Sequence, residues 1–68
     1  MKVEDIIKGL QIIESHRPSN ATPYHLRAEH DEIFVGSLVY QIPDDQKKIL
    51  EDLGWIANED VDGYRAGV

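Results

Sequence analysis

Between residues 3 and 16 the apolar positions Val3, Ile6, Ile7, Leu10 and Ile13 recur at intervals of three and four. That spacing lines them along one stripe and predicts a helix over 3–16. Glu4 and Asp5 fall in its first turn, where they oppose the positive end of the helix dipole. Gly9 costs such a helix about 1 kcal/mol relative to alanine, and Ile12 lies off the stripe. Pro18 excludes the helical conformation at the residue before it, so the helix stops there and residues 17–23 form a loop.

The period then changes from 3.6 to 2. Residues 24–29 alternate, with Tyr24, Leu26 and Ala28 pointing one way and His25, Arg27 and Glu29 the other, as in a half-buried strand. His30 and Asp31 both tolerate left-handed backbone angles and suit a two-residue turn. Ile33 to Tyr40 is rich in β-branched and aromatic residues and predicts the partner strand. This turn sets Leu26 opposite Val35 and Ala28 opposite Ile33 on the core side. Arg27 then faces Phe34, and His25 faces Gly36, on the other side. It also sets Glu29 opposite Glu32, a like-charge pair that a longer loop would relieve.

Pro43 and Asp44 open a second helix, with Asp44 or Asp45 available to cap its free N–H groups. Ile49, Leu50 and Leu53 form its apolar stripe, and Gly54 is a left-handed stop. Trp55 follows directly, placed to fold back over the helix end. Residues 55–58 and 64–68 read as a last hairpin around Asp62-Gly63. The pattern predicts one α+β domain over residues 1–68, ordered helix–hairpin–helix–hairpin (αββαββ). Its architecture is a four-stranded, mainly antiparallel sheet with both helices on one face.

Composition narrows the setting. A chain of 68 residues buries only about 60% of the surface its unfolded form exposes, which leaves little room for an enclosed catalytic pocket or a cofactor. No cofactor is expected. There is no cysteine, and a small secreted domain of this size usually needs disulfides, so a cytoplasmic location is expected. The opening Met1-Lys2-Val3-Glu4-Asp5 has no apolar segment of the signal-peptide kind. No apolar run approaches the roughly 20 residues needed to cross a bilayer. The net charge of −6 argues against nucleic-acid and membrane partners; it suits either plain solubility or a surface that meets a basic partner.

The run Ala28-Glu29-His30-Asp31-Glu32-Ile33-Phe34-Val35-Gly36 resembles a segment of small uncharacterised proteins from phages and bacterial genomes. In those, an A-E-H-D-x-I-x-V hairpin follows an amphipathic helix, and a later helix ends in L-x-x-L-G-W. Leu50-Glu51-Asp52-Leu53-Gly54-Trp55 matches the second motif, and Tyr64 stands where a tryptophan is expected. The resemblance covers most of the chain. It implies the fold and a phage or prophage setting, and no activity.

Four groups of residues are candidates for chemistry. Glu29, His30, Asp31 and Glu32 carry three carboxylates and an imidazole, the donors a divalent ion needs. Adjacent strand residues point to opposite faces, so the competing account is a solvated hairpin tip. Asn58-Glu59-Asp60-Val61-Asp62-Gly63 matches the first half of a calcium-binding loop. It then has Arg65 at a position that should be apolar, and its closing glutamate would fall beyond Val68. A β-turn with acidic side chains explains it better. His16, His25 and His30 have no nucleophile beside them: Ser15, Ser19 and Ser37 sit in no elbow or glycine-flanked motif, so the chain is not expected to be an enzyme. The fourth group is the sheet face away from the helices, where Phe34, Leu38 and Tyr40 are expected to project, rimmed by Arg27 and His25. A cation–π contact between Arg27 and Phe34 is expected there.

Three functional readings follow. The first is a small acidic interaction module that binds a protein partner, or a second copy of itself, through this open face; in a phage it would act on a host protein. The second is a divalent-metal-binding protein using the acidic turns. The third is an acidic mimic of nucleic acid, for which −6 on 68 residues is a modest charge.

Overall fold

The computed structural model describes residues 1–22 and 26–67, Val61 by its backbone alone. Helix α1 spans Val3–Ser15, strands β1 and β2 span Leu26–Glu29 and Glu32–Val35, and helix α2 spans Asp44–Leu53. Strand β3 covers Ile56–Asn58, a 3₁₀ turn covers Glu59–Val61, and β4 covers Gly63–Gly67. The four strands form one antiparallel sheet in the order β1-β2-β4-β3. The αββαββ class expected from the residue pattern is therefore the observed one. No helix among the described residues is long and apolar enough to cross a membrane.

One face of the sheet turns Ile33, Val35, Tyr64 and Ala66 towards Ile13 of α1 and Leu50 of α2. Trp55 is the centre of this core and is completely buried. Gly54 takes φ 103, a left-handed conformation that glycine adopts without strain, and turns the chain back so that the Trp55 N–H donates to the Leu50 carbonyl at 2.8 Å. The indole then lies across α1, where its Nε1–H donates to the Asp5 carbonyl at 3.3 Å. A Cβ at Gly9 would stand 1.9 Å from that Nε1. Gly9 is thus a packing position, and it lies in the middle of the buried stripe.

The stripe is accordingly centred differently from the sequence expectation. Ile6, Gly9, Leu10 and Ile13 face the core and Ile12 packs beside them, whereas Val3 and Ile7 are exposed. On α2, Leu50 and Leu53 face inwards and Ile49 is half exposed. Pro43 occupies the N-cap of α2 with no side-chain cap bond; Asp44 and Asp45 lie inside the first turn, where they act on the helix dipole.

The first hairpin has the expected register: Leu26↔Val35, Arg27↔Phe34, Ala28↔Ile33 and Glu29↔Glu32. His30 and Asp31 take φ 52 and 63, both positive, as a type I′ turn requires. Strand β2, however, ends at Val35 and not at Tyr40. Gly36 takes φ 76, and a Cβ there would meet Ile13 at 2.8 Å, so the chain leaves the sheet at this point. Residues 36–43 return across the core side, burying Tyr40 and Ile42 and packing Leu38 against the cluster. The Ser37 hydroxyl pins this return by donating to Asp62 Oδ2 and accepting from the Val39 N–H, each at 3.3 Å. Leu26 and Ala28 lie on the core-facing side as expected but stay exposed, because β1 extends beyond the area the helices cover.

Two predictions come from this packing. Gly9→Ala should lower stability by about 1–3 kcal/mol through overpacking, opposite in sign to the roughly 1 kcal/mol gain that helix propensity alone gives; urea unfolding of the two proteins measures it. Burial pushes the phenols of Tyr40 and Tyr64 above their ordinary value, with the nearby Arg17 charge partly opposing it at Tyr40. The folded chain therefore holds these protons more tightly than the unfolded one. Their contribution to stability should be constant below about pH 10, the ordinary phenol value, and be lost as pH rises through it towards the raised folded values. Melting temperature measured against alkaline pH checks this, and Tyr64→Phe should reduce the slope.

Candidate functional site

Alternation along each strand leaves the second face of the sheet without a helix. Across it runs one row of paired residues: Arg27 on β1, Phe34 on β2, Arg65 on β4 and Ile56 on β3. A second row holds Glu29, Glu32 and Gly67. The Arg27 guanidinium sits over the Phe34 ring, 5.0 Å from its centroid, which is the expected cation–π contact. Arg65 Nη1 donates to Glu32 Oε2 at 2.9 Å along the diagonal between β4 and β2. That bond answers the like-charge pairing of Glu29 and Glu32 without a longer loop. Arg65 Nε is buried and has no hydrogen-bond partner among the described residues. Ile56 closes the row and is 51% exposed.

Of the residues expected on this face, Phe34 and Arg27 are there. Leu38 and Tyr40 are not: both belong to the core side, because the left-handed Gly36 ends the strand before it reaches them. His25 lies outside the described residues. Arg65 and Ile56 were missed. Their signal was the alternation of the last two strands, in which Tyr64 and Ala66 point inwards and Arg65 outwards.

The acidic residues are engaged in local bonds and turns. At the hairpin tip, Glu32 is engaged by Arg65, while His30 and Asp31 form the turn itself. In the second acidic segment Asn58 Oδ1 accepts from the Asp60 N–H at 2.8 Å, opening the 3₁₀ turn, and Asp62 Oδ2 accepts from Ser37. Among the described residues no three histidine, aspartate or glutamate side chains come together as a ligand set. His16 Nε2 is 2.7 Å from Gln46 Oε1, a bond that ties the end of α1 to α2. A groove of about 220 Å³ lies between α1 and the first hairpin, lined by Leu10, Ile13, Leu26, Val35 and Tyr40. Arg17 and Glu14 at its mouth are bonded to each other at 2.8 Å.

The Arg65–Glu32 bond is half exposed, so its worth is modest. A double-mutant cycle with Arg65→Ala and Glu32→Ala should give a coupling of about 0.5–1 kcal/mol. The coupling should shrink as salt is added, and denaturant unfolding at two ionic strengths measures both.

The chain matches no known family model, no curated protein and no solved structure.

Proposed function

We propose that this chain is a protein-interaction module that docks a protein partner on the uncovered face of its sheet. The observation that carries the reading is the row Arg27–Phe34–Arg65–Ile56, which runs across all four strands. Aromatic and arginine side chains supply most of the energy at protein interfaces, because they offer large, stiff contact areas with a polar handle. Two of the chain's three arginines lie in this row, while every lysine lies in or next to a helix. Arg27 holds the Phe34 ring in place, and Arg65 is oriented by Glu32. Both side chains are thereby ordered before a partner arrives, which lowers the entropic cost of binding. The net charge of −6 steers the approach of a partner with basic ground around its contact area.

The resemblance to small phage and bacterial proteins suggests a setting: a phage or prophage product acting in the host cytoplasm on a host protein. Affinity capture from such a lysate tests the reading with four baits. Wild type and Val39→Ser, whose change is exposed but off this face, should retain the same protein. Phe34→Ala and Ile56→Ser should weaken its retention by on the order of tenfold or more, with circular dichroism unchanged. Equal capture by all four baits would overturn the reading.

A further inference from the structure

From the free edge of β1 we infer a second binding surface, which shares Arg27 with the face described above and whose occupant is the β1 edge of a second copy of this chain. Strand β1 is one of the two edge strands of the sheet, and all four of its residues are exposed. In a two-residue hairpin the pair flanking the turn, here Glu29 and Glu32, is hydrogen-bonded, and the bonding alternates from there. The main-chain groups of Arg27 and Glu29 therefore point to β2. Those of Leu26 and Ala28 point outwards along the open edge. Such an edge is a template for another strand.

The side chains select what that strand is. An antiparallel pairing of β1 with its own copy must place outward-facing main-chain groups opposite each other, which permits pairings centred on Arg27, Ala28 or Glu29, besides one centred on Leu26 that would pair Arg27 and Ala28 with residues before the strand. Centring on Arg27 puts two guanidiniums face to face, and centring on Glu29 does the same to two carboxylates. Centring on Ala28 puts Arg27 opposite Glu29 of the second copy, twice, about the two-fold axis. Like charges directly opposite are destabilising and opposite charges stabilising, so the charge order of Leu26-Arg27-Ala28-Glu29 chooses the third. That register also makes Arg27–Glu29 the closer, non-hydrogen-bonded pair, while Ala28 exchanges both main-chain bonds with its own copy. Among the described residues neither Arg27 nor Glu29 makes an ion pair within the chain. Glu29 is in fact left facing a carboxylate whose cation, Arg65, is on the other side. Ala28 would lie beside its own counterpart, and Leu26, 62% exposed, opposite His30 of the second copy. The product is a symmetric pair sharing one eight-stranded sheet, with self-complementary contacts of the isologous kind.

One four-residue edge is a small contact, so association should be weak and concentration-dependent. Sedimentation equilibrium from about 1 μM to about 1 mM should show the mass rising from the 7.7 kDa of one chain towards twice that value. Arg27→Glu should weaken association by on the order of tenfold. Arg27→Glu combined with Glu29→Arg should restore it, since the opposite pairs re-form with their signs exchanged. Ala28→Pro removes an outward N–H that β2 does not use, so it should keep the fold by circular dichroism and lose the association. If Ala28→Pro does not fold, the charge exchange decides alone. A wild type that stays at one chain throughout overturns the inference. So does an association that Arg27→Glu leaves unchanged, or that the exchanged pair fails to recover. Ile56→Ser changes the face at the opposite edge of the sheet and leaves Arg27 and the β1 edge intact, so failure there is separable from failure here.

Discussion

The contact between the Trp55 indole and the backbone of α1 at Gly9 governs the arrangement of everything on the helix side of the sheet. A helix packs against a flat aromatic most closely where it has no side chain, and Gly9 supplies that gap between Ile6 and Ile13. The indole fills it and reaches the Asp5 carbonyl. Because Gly54 directs Trp55 back from the end of α2, the same ring fixes α2 relative to α1 and both relative to β3, which begins at the next residue. A chain of 68 residues has one layer of core and little redundancy. The largest side chain in that layer therefore carries a disproportionate share of the specification, at the cost of a weakened helix centre.

The opposite side of the sheet is organised by charge. There Phe34 is held by Arg27, and Arg65 lies between Phe34 and Ile56 while its guanidinium reaches Glu32. In a chain with thirteen acidic residues against seven basic ones, placing two arginines on one sheet face separates that face electrically from the rest. Glu29 is the member of this set without a cation of its own within the described chain. Arg27 and Glu29, which make no ion pair among the described residues, flank Ala28 on the same side of an edge strand, an arrangement complementary to its own reverse.

Local chemistry made some of this legible in the sequence. The hairpin register followed from turn residues: His30 and Asp31 accept positive φ, a two-residue turn allows one alignment, and the pairs from Leu26↔Val35 to Glu29↔Glu32 are those observed. The end of β2 was not legible, because Leu38, Val39 and Tyr40 continue a strand-like composition past Gly36. That glycine takes a left-handed φ and lies too close to Ile13, a residue 23 positions away, for any side chain. Gly9 was likewise weighed as a helix weakness because its partner lies 46 positions further on. Arg65 follows a partial calcium-loop motif in the sequence, which masks its place in the alternation of β4. Each miss concerns a contact distant in sequence, and each success a contact closed by a turn.

The order β1-β2-β4-β3 places the most distant pairing at the middle of the sheet and the most local pairings at its sides. Each outer pair is a hairpin that its own turn can zip. The seam between β2 and β4 joins residues 32–35 to residues 64–67 and cannot form until the whole of α2 has been brought back. Loop closure must be met there before any contact rewards it. The topology therefore makes the docking of two half-made αββ units across the centre the expected slow step of folding.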